Sequence, residues 1–269
     1  MNYKTENTVE NSPALSPLVP TLRAWARHEV HVGISCSWGT VEKYSAVFTT
    51  ACVTMGACRG PDRISPDIAV EVSHDALTYR FPHGHWDKAV RGMLNESFLH
   101  ALPVCEQCLA PLQGRRLVVL SVAHIYRTEQ LSLAAFLDRL GRFLDALPRT
   151  FSYAVKLHNS EYLLPDYFAC LQERNAAHVI HAHAHMPPLL EQVLLPHVFT
   201  SDVAVVHAAV VHPQEYIGVA EAVRRCVAEN IKLYIHIPDD ATVLSRTAML
   251  LEVLNPDLAA ISPFRRKAA

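Results

Sequence analysis

The chain has 269 residues, half of them hydrophobic, and its 24 basic against 26 acidic groups leave a formal charge of -2. That balance argues against a general nucleic-acid or anionic-membrane surface, and no apolar run reaches the roughly 18 residues of a membrane span. The length suits one α/β barrel whose core needs no disulfide staple, and seven cysteines in no framework spacing behind a polar opening (MNYKTENTVENSPALSP) point to a reduced, cytoplasmic protein.

Residues 1–25 read as an N-terminal tail, disordered over roughly its first 20 positions, where three prolines stand among few large apolar groups. Residues 26–269 read as a single TIM-like barrel domain. HEVHVGISCSW is the first predicted strand, YSAVFTTACVTM the second, and DIAVEVS the third, closed by the turn-prone His74-Asp75. LVVLSVAHIY follows as a strand. Next comes a helix in which Leu133, Phe136, Leu137, Leu140, Phe143, Leu144 and Leu147 recur at three and four residues, with Pro148 as its stop. FSYAVKLHN is a strand, and Pro165 opens a helix that runs to near Asn175. The strands AAHVIHAHAH, SDVAVVHAA and IKLYIHIPDD complete the series, with the helical PQEYIGVAEAVRRCVAEN and DDATVLSRTAMLLEVLN after the last two. Strand starts near 117, 152, 177, 202 and 231 are about 25 to 35 residues apart, the size of a strand–helix unit, which predicts parallel strands in a closed barrel. No Gly-rich phosphate loop follows the first strand, so a dinucleotide fold has little support.

Five of these strands carry histidine at or near their carboxyl ends: His124, His158, the run His181, His183 and His185, then His207 and His236. In a barrel of parallel strands the carboxyl rim is where active sites are built, and imidazole is the commonest metal ligand as well as the group that titrates nearest neutrality. In an extended strand, His181, His183 and His185 share one face, and neighbours two apart can hold one ion. His181, His183, His207 and His236 are therefore the candidate metal ligands, with Asp239 or Asp240 as a carboxylate complement. Zn with three protein ligands and an open position, or Fe or Mn with two imidazoles and a carboxylate, fits such a set. Two plainer readings stand beside it. Strand-end histidines commonly cap carbonyls, and the HAHAH run can leave the strand at His183 as a wet loop. His83 and His85 in FPHGHW repeat the His-x-His pattern beside Trp86, whereas Cys105-x-x-Cys108 lacks a second pair and reads as a buried helix face.

The stretch from Phe151 to Gln192 resembles the YecE-like family, also called domain of unknown function 72 (DUF72). Tyr153, Ala154, Val155 and Asn159 match the family's fifth strand, and Met186, Pro187 and Pro188 match the segment beyond its sixth. DIAVEVS with Leu77 and Thr78 is similar to its third strand, and VHVGISCSWG, with Gly33 and Trp38, to its first. The resemblance covers about residues 30 to 255 and implies a TIM-like barrel of unestablished activity. It breaks at polar positions. Lys156 stands for the family's Glu, His158 for an Arg, Glu71 for a Lys, His207 for an Arg, and Pro238-Asp239-Asp240 for Asn-Asn-Arg.

The exchange of Glu71 and Lys156 is self-consistent if the two face each other inside the barrel, since a buried charge needs a partner. On this basis the chain reads as a metal-assisted, hydrolase-type enzyme for a small polar or phosphorylated molecule. Lys156 would stabilise negative charge, and Glu71 or His158 would exchange protons. The rival reading is a non-catalytic barrel whose rim binds a ligand or partner after loss of the family's polar residues.

Overall fold

The computed structural model describes residues 18–37, 40–41, 44, 47–55, 68–72, 102, 106, 109–110, 116–122, 124–125 and 131–261. Trp38, the His74-Asp75 turn, Leu77, Thr78, the FPHGHW segment, and Cys105 with Cys108 lie outside them. Eight strands form the frame: β1 Val30–Cys36, β2 Thr50–Met55, β3 Ile68–Val72, β4 Leu117–Val122, β5 Ser152–Leu157, β6 Ala177–His181, β7 Val203–His207 and β8 Lys232–Pro238. They close into one barrel in chain order. Every neighbouring pair is parallel, including the closure of β8 onto β1. This is a TIM-like (β/α)8 architecture.

The described helices are α1 Leu18–Ala26, α2 Leu133–Ala146, α3 Pro165–Gln172, α4 Leu189–Leu194, α5 Pro213–Glu229 and α6 Val243–Ile261. Local chemistry sets their ends. The Ser132 hydroxyl accepts from the Ala135 amide at the start of α2. Proline opens α3 and α5, where its missing N–H costs nothing, and Asn230 closes α5 in the left-handed region at φ 57°. The α2 stripe is buried through Phe136, Leu140, Phe143 and Leu144, each worth about 1.5–3 kcal/mol once removed from water. No described helix is long and apolar enough to cross a membrane.

The helix α1 corrects the expected tail over residues 18–25. Leu18, Leu22 and Trp25 fall at helical spacing, are buried, and pack this segment onto β1 and α6. The second strand is also shorter than its apolar run, since Tyr44 is helical and pairing begins only at Thr50. Gly33 is required at that junction. An added Cβ would stand 1.9 Å from the Thr50 carbonyl oxygen, so β1 and β2 approach there only because the side chain is absent.

Strand alternation divides the core in two. Ala51, Val53, Val118, Val155 and Ile235 join the cluster that includes the helices. Cys52, Ala69, Val119, Ala154, Val179, Val205 and Tyr234 make a separate cluster inside the barrel. Two positions further along the same faces come Glu71, Ser121, Lys156, His181, His207 and His236. The next interior layer toward the carboxyl rim is therefore polar.

Candidate functional site

In that layer Lys156 Nζ lies 3.2 Å from Glu71 Oε1, across the interior between β5 and β3. The two charges face each other as expected. Their side chains keep 18% and 7% of their exposure, so the ammonium is the member nearer water.

Among the described residues, one ligand atom each from Cys52, His207 and His236 lies within 4.8 Å of the other two. Strand register explains the meeting. His207 pairs directly with His236, and both point inward, His207 as the last residue of β7 and His236 two residues before the end of β8. Their rings are 5.2 Å apart and nearly perpendicular. Cys52 and His236 are wholly buried, whereas His207 is half-buried. Both nitrogens of His236, and Nε2 of His207, have no hydrogen-bond partner among the described residues. Buried polar atoms are rarely left so, because each orphan forfeits about 1–3 kcal/mol of solvation.

Electrostatics keep these groups neutral. Burial drives His236 down to about 3, assisted by Lys156 and then His31. Burial, then Lys156, then His236 hold His207 well below its ordinary value. Burial and Glu71 raise the Cys52 thiol, while Lys156 opposes them. Neutral imidazoles are ligand-ready, and a bound cation reverses the penalty on the thiolate.

The other histidines take different places. His181 ends β6, and its Nε2–H donates to the Leu157 carbonyl at 2.7 Å, which occupies that nitrogen. Burial pushes its pKa down to about 3. His183 and His185 lie past the strand in an exposed turn, so the three-histidine run does not share one strand face. The structure thus brings His207 and His236 together with Cys52; His181 is the register partner of His207 but commits its Nε2 to Leu157, and His183 lies beyond the strand. His158 follows β5, and its Nδ1–H donates to the Val122 carbonyl at 2.6 Å. Its ring lies 4.9 Å from His181 and 4.7 Å from His183, and the line of imidazoles continues through His185 to His124. Asp240 instead pairs with Arg246 and Thr242, and the Asp239 amide donates to the Ser35 carbonyl.

Two buried amides hold the mouth. Asn159 accepts from the Ile125 amide at 2.8 Å, then donates to the Ile125 carbonyl at 3.0 Å and to Glu161 at 2.9 Å. Gln192 ties both the amide and the carbonyl of His181, and the Pro187 carbonyl, to α4. Between these clamps opens a cavity of about 1060 Å³, whose walls include His124, Glu161, His185, Met186 and Glu191.

Sequence reasoning missed Cys52. The signal was present in Thr50-Ala51-Cys52-Val53, where the apolar phase faces the helices and therefore turns Cys52 inward. Gln192 left no comparable trace, because its role depends on where a loop folds back.

These features define a (β/α)8 barrel with a polar, histidine-rich carboxyl-terminal mouth. DUF72 family proteins are among the solved structures it matches. One from Thermotoga maritima MSB8 aligns with a TM-score of 0.55 and 13% identity, covering 86% of this chain and 99% of that one. Another, from Enterococcus faecalis V583, aligns at 0.52 and 14%, covering 86% and 97%. Such identities make the likeness one of fold, and mark this chain as divergent from both. No protein-family model matches the chain, and neither does any curated protein.

Proposed function

We propose that this chain is a divergent DUF72-type barrel enzyme of the reducing cytoplasm, a metal-assisted hydrolase in which Cys52, His207 and His236 hold a divalent ion. The observation that carries this reading is the set of orphaned nitrogens on His236 and His207 facing a buried thiol. A tetrahedral ion about 2.0–2.3 Å from each donor keeps its ligands roughly 3.4–3.8 Å apart. One thiolate and two imidazoles suit zinc, and iron after it, better than manganese, which prefers oxygen. When bound, such an ion supplies Lewis acidity and a nucleophilic water near neutral pH.

The chain's own residues supply the rest. Lys156 places a positive charge beside the centre and offsets negative charge that develops on the substrate. Glu71, hydrogen-bonded to it, is the carboxylate positioned to accept a proton. His158, with Nδ1–H fixed on Val122, keeps Nε2 as an acceptor and serves as the outer proton-exchanging group.

The test is elemental analysis of untagged protein purified without chelator. The expected result is about one equivalent of zinc or iron in the wild type, lost in Cys52→Ser and His236→Ala and kept in His183→Ala. A wild-type protein that is metal-free and gains no thermal stability from added zinc overturns the proposal. It would leave the non-catalytic, ligand-binding barrel as the reading of the mouth.

A further inference from the structure

We infer that the cavity at the mouth is a binding site for a small aliphatic diamine, whose two ammonium ends meet Glu161 and Glu191 while its carbon chain lies on Ile125, Met186 and Pro187. The inference does not rest on the metal reading, since none of Cys52, His207 and His236 is among the residues lining this cavity.

Room, charge of one sign and apolar surface coincide here. The volume of about 1060 Å³ is at the upper end of ordinary ligand pockets, which span roughly 300–1,000 Å³. Among the described residues lining it are two carboxylates and no lysine or arginine. Glu161 belongs to the short turn Ser160–Tyr162 after β5, and Glu191 to the first turn of α4, so the two carboxylates come from different elements. A ligand charged positively at both ends answers both of them. A lone ammonium answers one, and an anion is repelled by the pair. Ile125 and Met186 are largely buried beneath the cavity, and with Pro187 they offer methylene groups an apolar contact. Carboxylates with apolar surface on the same walls select an ammonium carried on a hydrocarbon chain over a hydrated inorganic cation.

The walls are also fixed in advance. The wholly buried Asn159 donates to Glu161 Oε1 at 2.9 Å, and the same amide is tied to both backbone groups of Ile125. On the other side, wholly buried Gln192 follows Glu191 in α4 and donates to the Pro187 carbonyl. His124 and His185 close a further side with rings 4.5 Å apart. Exposed ion pairs are weak when two long side chains must be ordered to make them. Holding the receiving groups in place beforehand removes part of that cost.

The experiment follows the histidine ring resonances of the full-length protein by nuclear magnetic resonance. Those of His124 and His185 are identified by their absence in His124→Gln and His185→Gln. The titrants are putrescine, butylamine, butanediol and succinate, which share one four-carbon chain and differ in charge. Putrescine is expected to shift both resonances saturably and to bind about fivefold more tightly than butylamine, the gain from a second ammonium–carboxylate pair. Glu161→Gln and Glu191→Gln change exposed side chains and should each remove that advantage, whereas Glu252→Gln, exposed on α6, should keep it. Cys52→Ser should bind putrescine as the wild type does, so that failure of the metal reading leaves this site standing. Butanediol or succinate binding as tightly as putrescine overturns the diamine assignment. So does putrescine affinity indifferent to both Glu161→Gln and Glu191→Gln, or reduced equally by Glu252→Gln. Loss of putrescine binding in Cys52→Ser would move the amine to the metal centre and overturn the assignment to this cavity.

Discussion

Glu71 and Lys156, 85 positions apart in the chain, meet at 3.2 Å inside the barrel, and the ammonium acts from there on both imidazoles of the candidate centre. A buried pair is weak evidence of net stabilisation, but breaking it from one side is costly. Lys156→Met strands a carboxylate in the interior and is expected to lose about 3 kcal/mol in urea unfolding. The double variant Glu71→Gln/Lys156→Met should recover most of that loss. If the double variant is as unstable as the single one, the pair is not the cause.

The barrel was legible because its signals are local and periodic. Strand starts expected near 117, 152 and 177 coincide with β4, β5 and β6, and the α2 stripe ends against Pro148 as its spacing implies. The ion pair was legible too, since two charges on otherwise apolar strands have few places to go. What stayed hidden depends on three-dimensional closure. His181, His183 and His185 form a periodic run, but the strand ends at His181, where Gln192 captures both its amide and its carbonyl. Cys52 carries no charge and no repeat, and becomes a candidate only once β2 is placed beside β1 and the ring is closed.

Gly33 offers a sharp test of that closure. Its added Cβ would meet the Thr50 carbonyl carbon at 2.5 Å as well as the oxygen, and backbone cannot swing aside as a side chain can. Gly33→Ala is expected to cost at least about 2 kcal/mol, more than ordinary surface changes. A thermal midpoint within a degree or so of the wild type would mean that β1 and β2 lie further apart.

Asn159 ties the exits of β4 and β5 through three hydrogen bonds from a wholly buried amide. Asn159→Ala leaves the Ile125 amide and carbonyl unsatisfied, for an expected loss of about 2–3 kcal/mol. Amide exchange at Ile125 should quicken selectively, while helix α2 remains protected. Uniform acceleration across the barrel would show a global rather than a local tie.

Acid should weaken the metal-free protein in a defined window. Burial holds His178 down at about 4 and His181 at about 3, while both titrate near 6.5 once unfolded. Above about 6.5 both states are neutral and the stabilisation is complete. Between there and about 4 the unfolded chain binds the extra protons, so stability falls with pH, each group contributing up to about 1.4 kcal/mol per unit. His178→Gln should flatten this dependence by about one proton. Stability unchanged between pH 7 and pH 5 would show that these imidazoles are not buried.

The central claim is that Cys52, His207 and His236 hold one ion, and its most direct test is cobalt(II) titration of the metal-free protein near pH 7.5, followed in the near ultraviolet. Thiolate-to-cobalt charge transfer should rise to saturation at about one equivalent in the wild type. It should vanish in Cys52→Ser, and in His183→Ala it should be as strong as in the wild type. Cobalt bound without that absorption, or with the same absorption in Cys52→Ser, would place the metal elsewhere and contradict the centre described here.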